Sequence, residues 1–169
     1  YNINYNGTPP WGGAYAQARY PSVIATSDYP YAFWSEHTNQ WLGYGARPYY
    51  SYDEFGWDGH SWLPPIDVDP YFNVEKDFST GSAVHGFDMS SGNYHVSAVY
   101  NDRSRGGSYL FTSEPMAGSS IIFGEETLVV NSEHLGSDGF STESALSMND
   151  NGQGVLGLIG ILEGVDMES

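Results

Sequence analysis

Three stretches of the chain share one pattern of hydrophobic and polar positions. In each, a short apolar segment is followed by a polar turn and then by a second segment rich in small and apolar residues. The stretches are YPSVIATSDYPYAFWSE at 20–36, GSAVHGFDMSSGNYHVSAVYND at 81–102 and TESALSMNDNGQGVLGLIG at 142–160. Alternating apolar and polar residues and turn pairs such as Asn151-Gly152 are typical of β-hairpins. No stretch has the 3.6-residue apolar period of an amphipathic helix, so the pattern predicts an all-β chain.

The three stretches recur at a constant interval. Val23, Val84 and Ala145 occupy the same place in the pattern and are 61 residues apart (84 − 23 and 145 − 84). The same offset continues into the segments that follow the first two hairpins. It aligns residues 49–53 with 110–114, Trp62 with Phe123, and residues 67–68 with 128–129. Each full repeat therefore contains two hairpins, which makes four strands.

Four-stranded repeats of this length are typical of β-propeller blades, which bury their faces against neighbouring blades. The chain of 169 residues holds about 2.8 repeats (169 divided by 61). Since propellers have roughly 4–8 blades, these antiparallel blades of ~61 residues are not expected to close on themselves. The predicted units are an extended arm or incoming outer strand at 1–17, blade repeats at 18–79 and 80–140, and a partial repeat at 141–169. A β-sandwich with accidental internal similarity is the alternative.

Composition narrows the classes of partner. The chain has 5 basic and 21 acidic residues, a formal net charge of −16 at pH 7, and no cysteine. Nucleic acids and anionic membranes attract clustered Lys and Arg, so neither is an expected partner. Without cysteine there is no disulfide and no thiolate metal site. The longest apolar run, at 155–162, is too short to span a bilayer.

Residues 51–62, SYDEFGWDGHSW, carry a recognisable motif. Ser51, Asp53, Gly59 and Trp62 resemble the Asp-box (BNR) repeat of sialidase-like propellers, Ser/Thr-x-Asp-x-Gly-x-x-Trp/Phe, with four residues inserted at 55–58. In that family the box is structural and lies in the turn between the third and fourth strands of a blade. The resemblance therefore implies that this cluster stabilises the fold and is not an active site.

The box chemistry predicts specific contacts. An Asp carboxylate and a Ser or Thr hydroxyl can hydrogen-bond backbone groups of their own turn, Gly59 would supply a positive φ, and Trp62 would pack under the hairpin. The inserted residues, which include Trp57, are a candidate contact surface. A weaker second copy of the box has the residues Thr112, Glu114 and Phe123.

The resemblance also raises the question of sialidase activity, which in that family needs three arginines that clamp the substrate carboxylate. The four arginines are Arg19, Arg47, Arg103 and Arg105. Arg19 precedes the innermost predicted strand, but the residues 61 and 122 positions later are Thr80 and Ser141. The repeats therefore do not assemble the clamp, and we predict no catalytic residue. If the chain were an enzyme, a glycoside hydrolase would be expected.

Two kinds of ligand site are candidates. Hard oxygen ligands for calcium occur in two segments, although the second segment is also typical of a tight turn: Asp67, Asp69, Asn149, Asp150 and Asn151. No other cofactor is expected. Four aromatic residues in glycine-rich segments could stack on sugar rings, or they could be buried in the contacts between blades. Together with Arg19, the candidate ligand or partner contacts are Trp11, Trp41, Tyr44 and Trp57.

Two functional hypotheses follow. The first is a non-catalytic extracellular or cell-surface module that acts as a structural or assembly component, with other protein chains or copies of itself capping its open blade edges. The second is a fragment of a secreted sialidase-like glycosidase or carbohydrate-binding propeller, whose partner would be a glycan. Concentration-dependent assembly would favour the first, and further repeats with arginines at the position of Arg19 would favour the second.

Overall fold

The computed structural model describes residues 18–37, 46–73, 75–78, 80–88, 94–116, 118–131, 141–149 and 153–160. Within these ranges the chain forms ten antiparallel strands in three separate sheets and no helix. The described ranges accordingly contain no helix long and apolar enough to cross a membrane. The prediction of an all-β chain is confirmed.

Two of the sheets have four strands each, in simple chain order. The first sheet comprises β1 (Ala18–Ala25), β2 (Pro30–His37), β3 (Ala46–Tyr52) and β4 (Ile66–Asp67). The second sheet comprises β5 (Thr80–Asp88), β6 (Tyr94–Asp102), β7 (Gly107–Thr112) and β8 (Thr127–Asn131). The third sheet, called the terminal hairpin below, pairs β9 (Ser141–Met148) with β10 (Gly154–Gly160). Strands β3 and β7 begin 61 residues apart, at Ala46 and Gly107.

The hydrophobic core lies between the first and second sheets. Because strand side chains alternate between two faces, β2 and β3 present one set of aromatics to the second sheet. The buried residues of this core include Tyr31, Phe33, Tyr50, Tyr52, Phe78, Val96, Ala98, Tyr100, Tyr109 and Phe111. A smaller cluster, formed by Ala32, Trp34 and Tyr49, lies on the opposite face of the first sheet. The first strands of the three sheets are neighbours, since β1 lies beside β5 and β5 lies beside β9.

Tyrosine hydroxyls of the first sheet bind the connection between β7 and β8. The Tyr31 hydroxyl donates to the carbonyl of Ser119 at 2.7 Å, and the Tyr50 hydroxyl donates to the carbonyl of Ile121 at 2.9 Å. The backbone N–H of Ile121 in turn donates to the Tyr50 hydroxyl at 3.3 Å. Burial raises the pKa of Tyr50, although its hydrogen bond to Ile121 lowers it, so the hydroxyl remains a donor at neutral pH.

An ion network that is buried at Asp69, Lys76 and Asp102 joins the segment between the two sheets to the second sheet. Lys76 Nζ lies 2.7 Å from Asp69 Oδ2 and 3.2 Å from Glu126 Oε2. Arg105 pairs with Glu126 and with Asp102 and lies over the Tyr109 ring, 3.9 Å from its centroid. Lys76 belongs to the segment after the first sheet, whereas Arg105 lies in the β6–β7 turn and Glu126 directly precedes β8. The network therefore fastens the connection between the sheets to the second sheet.

The 61-residue register differs by one position in two places. Isolated bridges pair Asp53 with Trp62 and Ser113 with Phe123, so the offset at the start of this turn is 60. In the terminal hairpin Ala145 is exposed, whereas Val84 packs against the core. A slip of one residue moves a strand side chain to the opposite face of its sheet. The inward, half-buried positions of the hairpin are Leu146, Met148, Leu156 and Leu158.

Candidate functional site

The turn between β3 and β4 is organised by one buried carboxylate. Asp53 is almost fully buried and accepts two backbone hydrogen bonds, from Phe55 N–H to Oδ1 at 3.1 Å and from Ser61 N–H to Oδ2 at 2.9 Å. The Ser51 hydroxyl donates to the carbonyl of Leu63 at 2.6 Å. Both side chains are thus bonded to backbone groups of the turn itself, and the Asp53 oxygens point away from solvent. This geometry holds the loop and offers no free carboxylate for chemistry.

Glycine and histidine give the turn its tight backbone. The positive φ expected at Gly59 is instead found at Gly56 (φ 81°) and at His60 (φ 56°). Gly59 is required for space, because a Cβ there would lie 2.2 Å from Asp53 Oδ1 and 2.4 Å from the Phe55 Cβ. The positive φ lies at Gly56 and not at Gly59 because the chain reverses direction within the four inserted residues, at Gly56.

Two aromatic side chains of the insertion project from the turn. Phe55 is 72% exposed and Trp57 is 53% exposed. The indole N–H of Trp57 donates to the backbone carbonyl of Thr26, in the turn between β1 and β2, at 3.2 Å. The insertion is therefore tied to a neighbouring turn although its rings are open to solvent. Trp62, in contrast, is partly buried against the cluster of Ala32, Trp34 and Tyr49.

The second copy of the motif is built differently. Ser113, and not Glu114, lies opposite Phe123, and its hydroxyl accepts from Val96 N–H at 2.9 Å and donates to the carbonyl of Glu114 at 2.8 Å. Thr112 and Glu114 are both exposed. Phe123 is buried and packs edge-on against Phe33, 6.4 Å between centroids. The structure thus gives Ser113 the place that the alignment assigned to Glu114.

The described arginines and the lysine are engaged in ion pairs or hydrogen bonds. Arg47 pairs with Asp67, with Nε 2.6 Å from Oδ1, and its guanidinium lies 4.9 Å from the centre of the Phe72 ring. Burial raises the pKa of Asp67, while the adjacent Arg47 lowers it. Arg105 and Lys76 belong to the ion network. The side chain of Arg19 lies outside the described residues, and no clamp of three arginines is formed by those that the structure describes.

The calcium candidates are dispersed. Asp67 is paired with Arg47, and Asp69 binds both Lys76 and the N–H of Tyr71, the latter at 2.9 Å. Asn149 exchanges hydrogen bonds with Gln153 across the β9–β10 turn. Asp150 and Asn151 lie outside the described residues. Among the residues that the structure does describe, no group of three His, Asp or Glu side chains could hold a metal ion.

The terminal hairpin exposes one face at its described positions, and we call this surface the open hairpin face. Val155 is 74% exposed and Ile159 is 63% exposed. The described side chains on this face are uncharged: Ala145, Ser147, Val155, Gly157 and Ile159. Sequence reasoning missed this face because the alignment by 61 residues placed Ala145 with the inward residue Val84. Counting the alternation within β9 and β10 alone would have found it.

Three further sequence candidates, Trp11, Trp41 and Tyr44, lie outside the described residues, and only Trp57 of that aromatic set can be placed. Sequence reasoning also missed Phe55 as an exposed ring and Lys76 as an ion partner. The single lysine of a strongly acidic chain was a signal for ion pairing, but its partners Asp69 and Glu126 are not its sequence neighbours Glu75 and Asp77. No protein-family model matches this chain, and no curated protein sequence matches it.

Proposed function

We propose that this chain is a non-catalytic, extracellular repeat module of propeller type that acts as a structural or assembly component. The observation that carries the proposal is the open hairpin face, an exposed apolar surface on a folded sheet. Exposed apolar surface of this kind is typical of protein–protein contact sites. The expected partner is another protein chain or a second copy of this one.

The arrangement of the described sheets supports this proposal. The first sheet covers one face of the second with aromatic side chains, and the terminal hairpin lies beside β5 on the next position along the molecule. Stacked repeats bury a continuous core only where each unit has neighbours on both sides. The open hairpin face is the position at which the next unit of such a stack would pack.

Charge favours the same surface. The chain carries a formal net charge of −16, so two copies repel one another over most of their surface. Ala145, Ser147, Val155, Gly157 and Ile159 of the open hairpin face are uncharged, whereas Glu143 stands opposite Ile159 in the strand register at one end of this face. Association centred on Val155 and Ala145 therefore brings fewer like charges together than orientations that use the acidic remainder of the surface.

The alternative, a sialidase-like glycosidase or carbohydrate-binding propeller, has less support. Arg47 and Arg105 are committed to Asp67, Asp102 and Glu126, so neither guanidinium is free to clamp a substrate carboxylate. Both carboxylate oxygens of Asp53 accept hydrogen bonds from backbone N–H groups. The exposed rings of Phe55 and Trp57 are the one observation that suits a glycan.

The test is the particle mass as a function of protein concentration, measured by light scattering. We expect the mass to rise above 18.6 kDa with concentration and Val155→Glu to hold the protein at the monomer mass. Ile122→Glu is the matched control, since Ile122 is 67% exposed on the β7–β8 connection and should not affect assembly. A monomer at every concentration would contradict self-assembly through this face.

A further variant distinguishes two geometries of assembly. Val23 is 72% exposed on β1, in the first unit of the stack. If Val23→Glu also abolishes assembly, the contact is head-to-tail and extends into a filament or ring. If only Val155→Glu abolishes it, two copies meet face to face in a closed dimer.

A further inference from the structure

The insertion between β3 and β4 presents aromatic surface where most large side chains of this protein are buried. Phe55 and Trp57 flank Gly56 on one short loop, called the aromatic turn below and comprising residues 54–60. Their exposed fractions are 72% and 53%, whereas Phe33, Trp34 and Phe111 are at most 1% exposed. Two large rings held in water are unfavourable for an isolated domain unless a partner covers them.

The aromatic turn is rigidly held. Asp53 accepts the N–H of Phe55, the N–H of Gly56 donates to the Asp53 carbonyl at 3.2 Å, and the Trp57 indole is anchored on Thr26. At Gly56 the backbone approaches the neighbouring turn so closely that a Cβ would lie 2.6 Å from the carbonyl oxygen of Asp28. The backbone of the turn and the ring of Trp57 are already fixed, so they lose little conformational entropy when a partner binds, which favours affinity.

The surroundings of these rings are acidic. Asp28, Glu54 and Asp58 are all exposed, and none of them forms an ion pair with the residues that the structure describes. The chain has no Lys or Arg between positions 47 and 76, nor between 19 and 47. The turn thus has no Lys or Arg of its own, and His60 is the one basic residue within it. A cationic group placed over an aromatic face and beside carboxylates gains from both interactions.

We propose that the aromatic turn is a docking surface for a segment of a partner protein that carries Lys or Arg side chains. A guanidinium or ammonium group would lie over the ring of Trp57 or Phe55, with Asp58 and Asp28 as its carboxylate partners. Carboxylates only accept hydrogen bonds, so this surface complements donors such as guanidinium better than sugar hydroxyls, which also need donors from the protein. The site is independent of the open hairpin face and of any self-assembly.

The test uses the full chain and a short Arg-rich peptide as probe, with binding measured by calorimetry at low and moderate salt. We expect binding that weakens about tenfold in Phe55→Ser, because ring contacts of this kind contribute most of the affinity at hot spots. Asp58→Asn should weaken it by about threefold and reduce its salt dependence. Trp57→Phe keeps a ring but loses the indole N–H that anchors it on Thr26, so it should weaken binding less than Phe55→Ser does.

Matched controls separate this site from general attraction to an acidic protein. Tyr71→Ser removes another exposed ring, and Glu75→Gln removes another exposed carboxylate, in a different connection. Neither should change binding. Equal binding in all variants, no binding by the wild type, or Phe55-dependent binding of a neutral oligosaccharide in place of the peptide would each overturn the proposal.

Discussion

The contact between the first and second sheets differs in kind from the contact between the second sheet and the terminal hairpin. The former joins fully buried rings, tyrosine hydroxyls bonded to backbone groups, and an ion network around Lys76. The hairpin lies beside β5, its inward side chains such as Leu146 and Leu156 are only half-buried, and its opposite face is open at the described positions. The stability that packing gives to a sheet depends on the apolar surface that it buries against its neighbour. We infer that the two four-stranded sheets form the stable unit and that the hairpin opens first.

The largest expected effect comes from emptying the core between the sheets. Phe78 is fully buried, and its ring centroid lies 5.6 Å from that of Phe111 and 6.1 Å from that of Tyr100. Phe78→Ala should lower the free energy of unfolding by about 3–5 kcal/mol because it leaves a large cavity. Leu156→Ala in the hairpin, where the side chain is only half-buried, should cost about 1–2 kcal/mol. Urea denaturation measures both, and equal losses would contradict the distinction between the two contacts.

The β3–β4 and β7–β8 connections allow a second comparison, between a charged and a neutral side chain in corresponding positions. Asp53→Ala should cost about 2–3 kcal/mol, because the backbone N–H groups of Phe55 and Ser61 lose a buried, charged acceptor. Ser113→Ala removes a neutral hydroxyl from the corresponding place in the second sheet and should cost about 1 kcal/mol. Thermal unfolding gives the ranking. A smaller effect at Asp53 than at Ser113 would mean that the first turn is held mainly by its other contacts.

Two buried tyrosines test whether hydroxyl bonds between the sheets matter. Tyr50→Phe removes the hydroxyl that binds both backbone groups of Ile121 and should cost about 1–2 kcal/mol. The hydroxyl of Tyr100 has no hydrogen-bond partner among the described residues. Tyr100→Phe should therefore leave stability unchanged or raise it by a few tenths of a kcal/mol. Chemical denaturation of the two variants, which differ from the wild type by one oxygen each, would show this difference directly.

The smallest expected effect is the pH dependence due to Glu126. Although burial opposes it, hydrogen bonds from Arg105 and Lys76 lower the pKa of Glu126 below its ordinary value of 4.5. A carboxyl with a lowered pKa in the folded state stabilises the fold above 4.5, and this contribution disappears as the pH falls through the folded pKa. Glu126→Gln should cost about 1 kcal/mol at neutral pH, with the deficit shrinking in acid.

Glu125→Gln is the control for this measurement, because Glu125 is exposed and its neighbour is not. Stability curves at several pH values should show an acid-dependent difference from the wild type for Glu126→Gln only. If both variants behave alike, the network around Lys76 and Arg105 contributes nothing measurable that depends on the charge of Glu126.

Much of the fold could be predicted from local pattern. Apolar alternation and turn residues are short-range signals, so they located the hairpins and predicted the four strands per repeat that the two sheets have. The structural use of Asp53 and Ser51 was also within reach, because their bonding partners are in their own turn. The positive φ at Gly56 and the role of Ser113 were missed because insertions and one-residue slips leave composition unchanged while moving side chains to other positions.

The sequence by itself determined that the chain is all-β, repetitive, strongly acidic and without cysteine chemistry. Those properties depend on residues close together in the chain or on simple counts. Only the tertiary structure decided which side chains form long-range contacts, such as the ion pair of Lys76 with Glu126. It also decided which side chains stay exposed, such as those of Val155 and Phe55. The physical reason is that burial and ion pairing depend on which faces of distant strands meet. A pattern of period two restricts those faces to two choices but does not select between them.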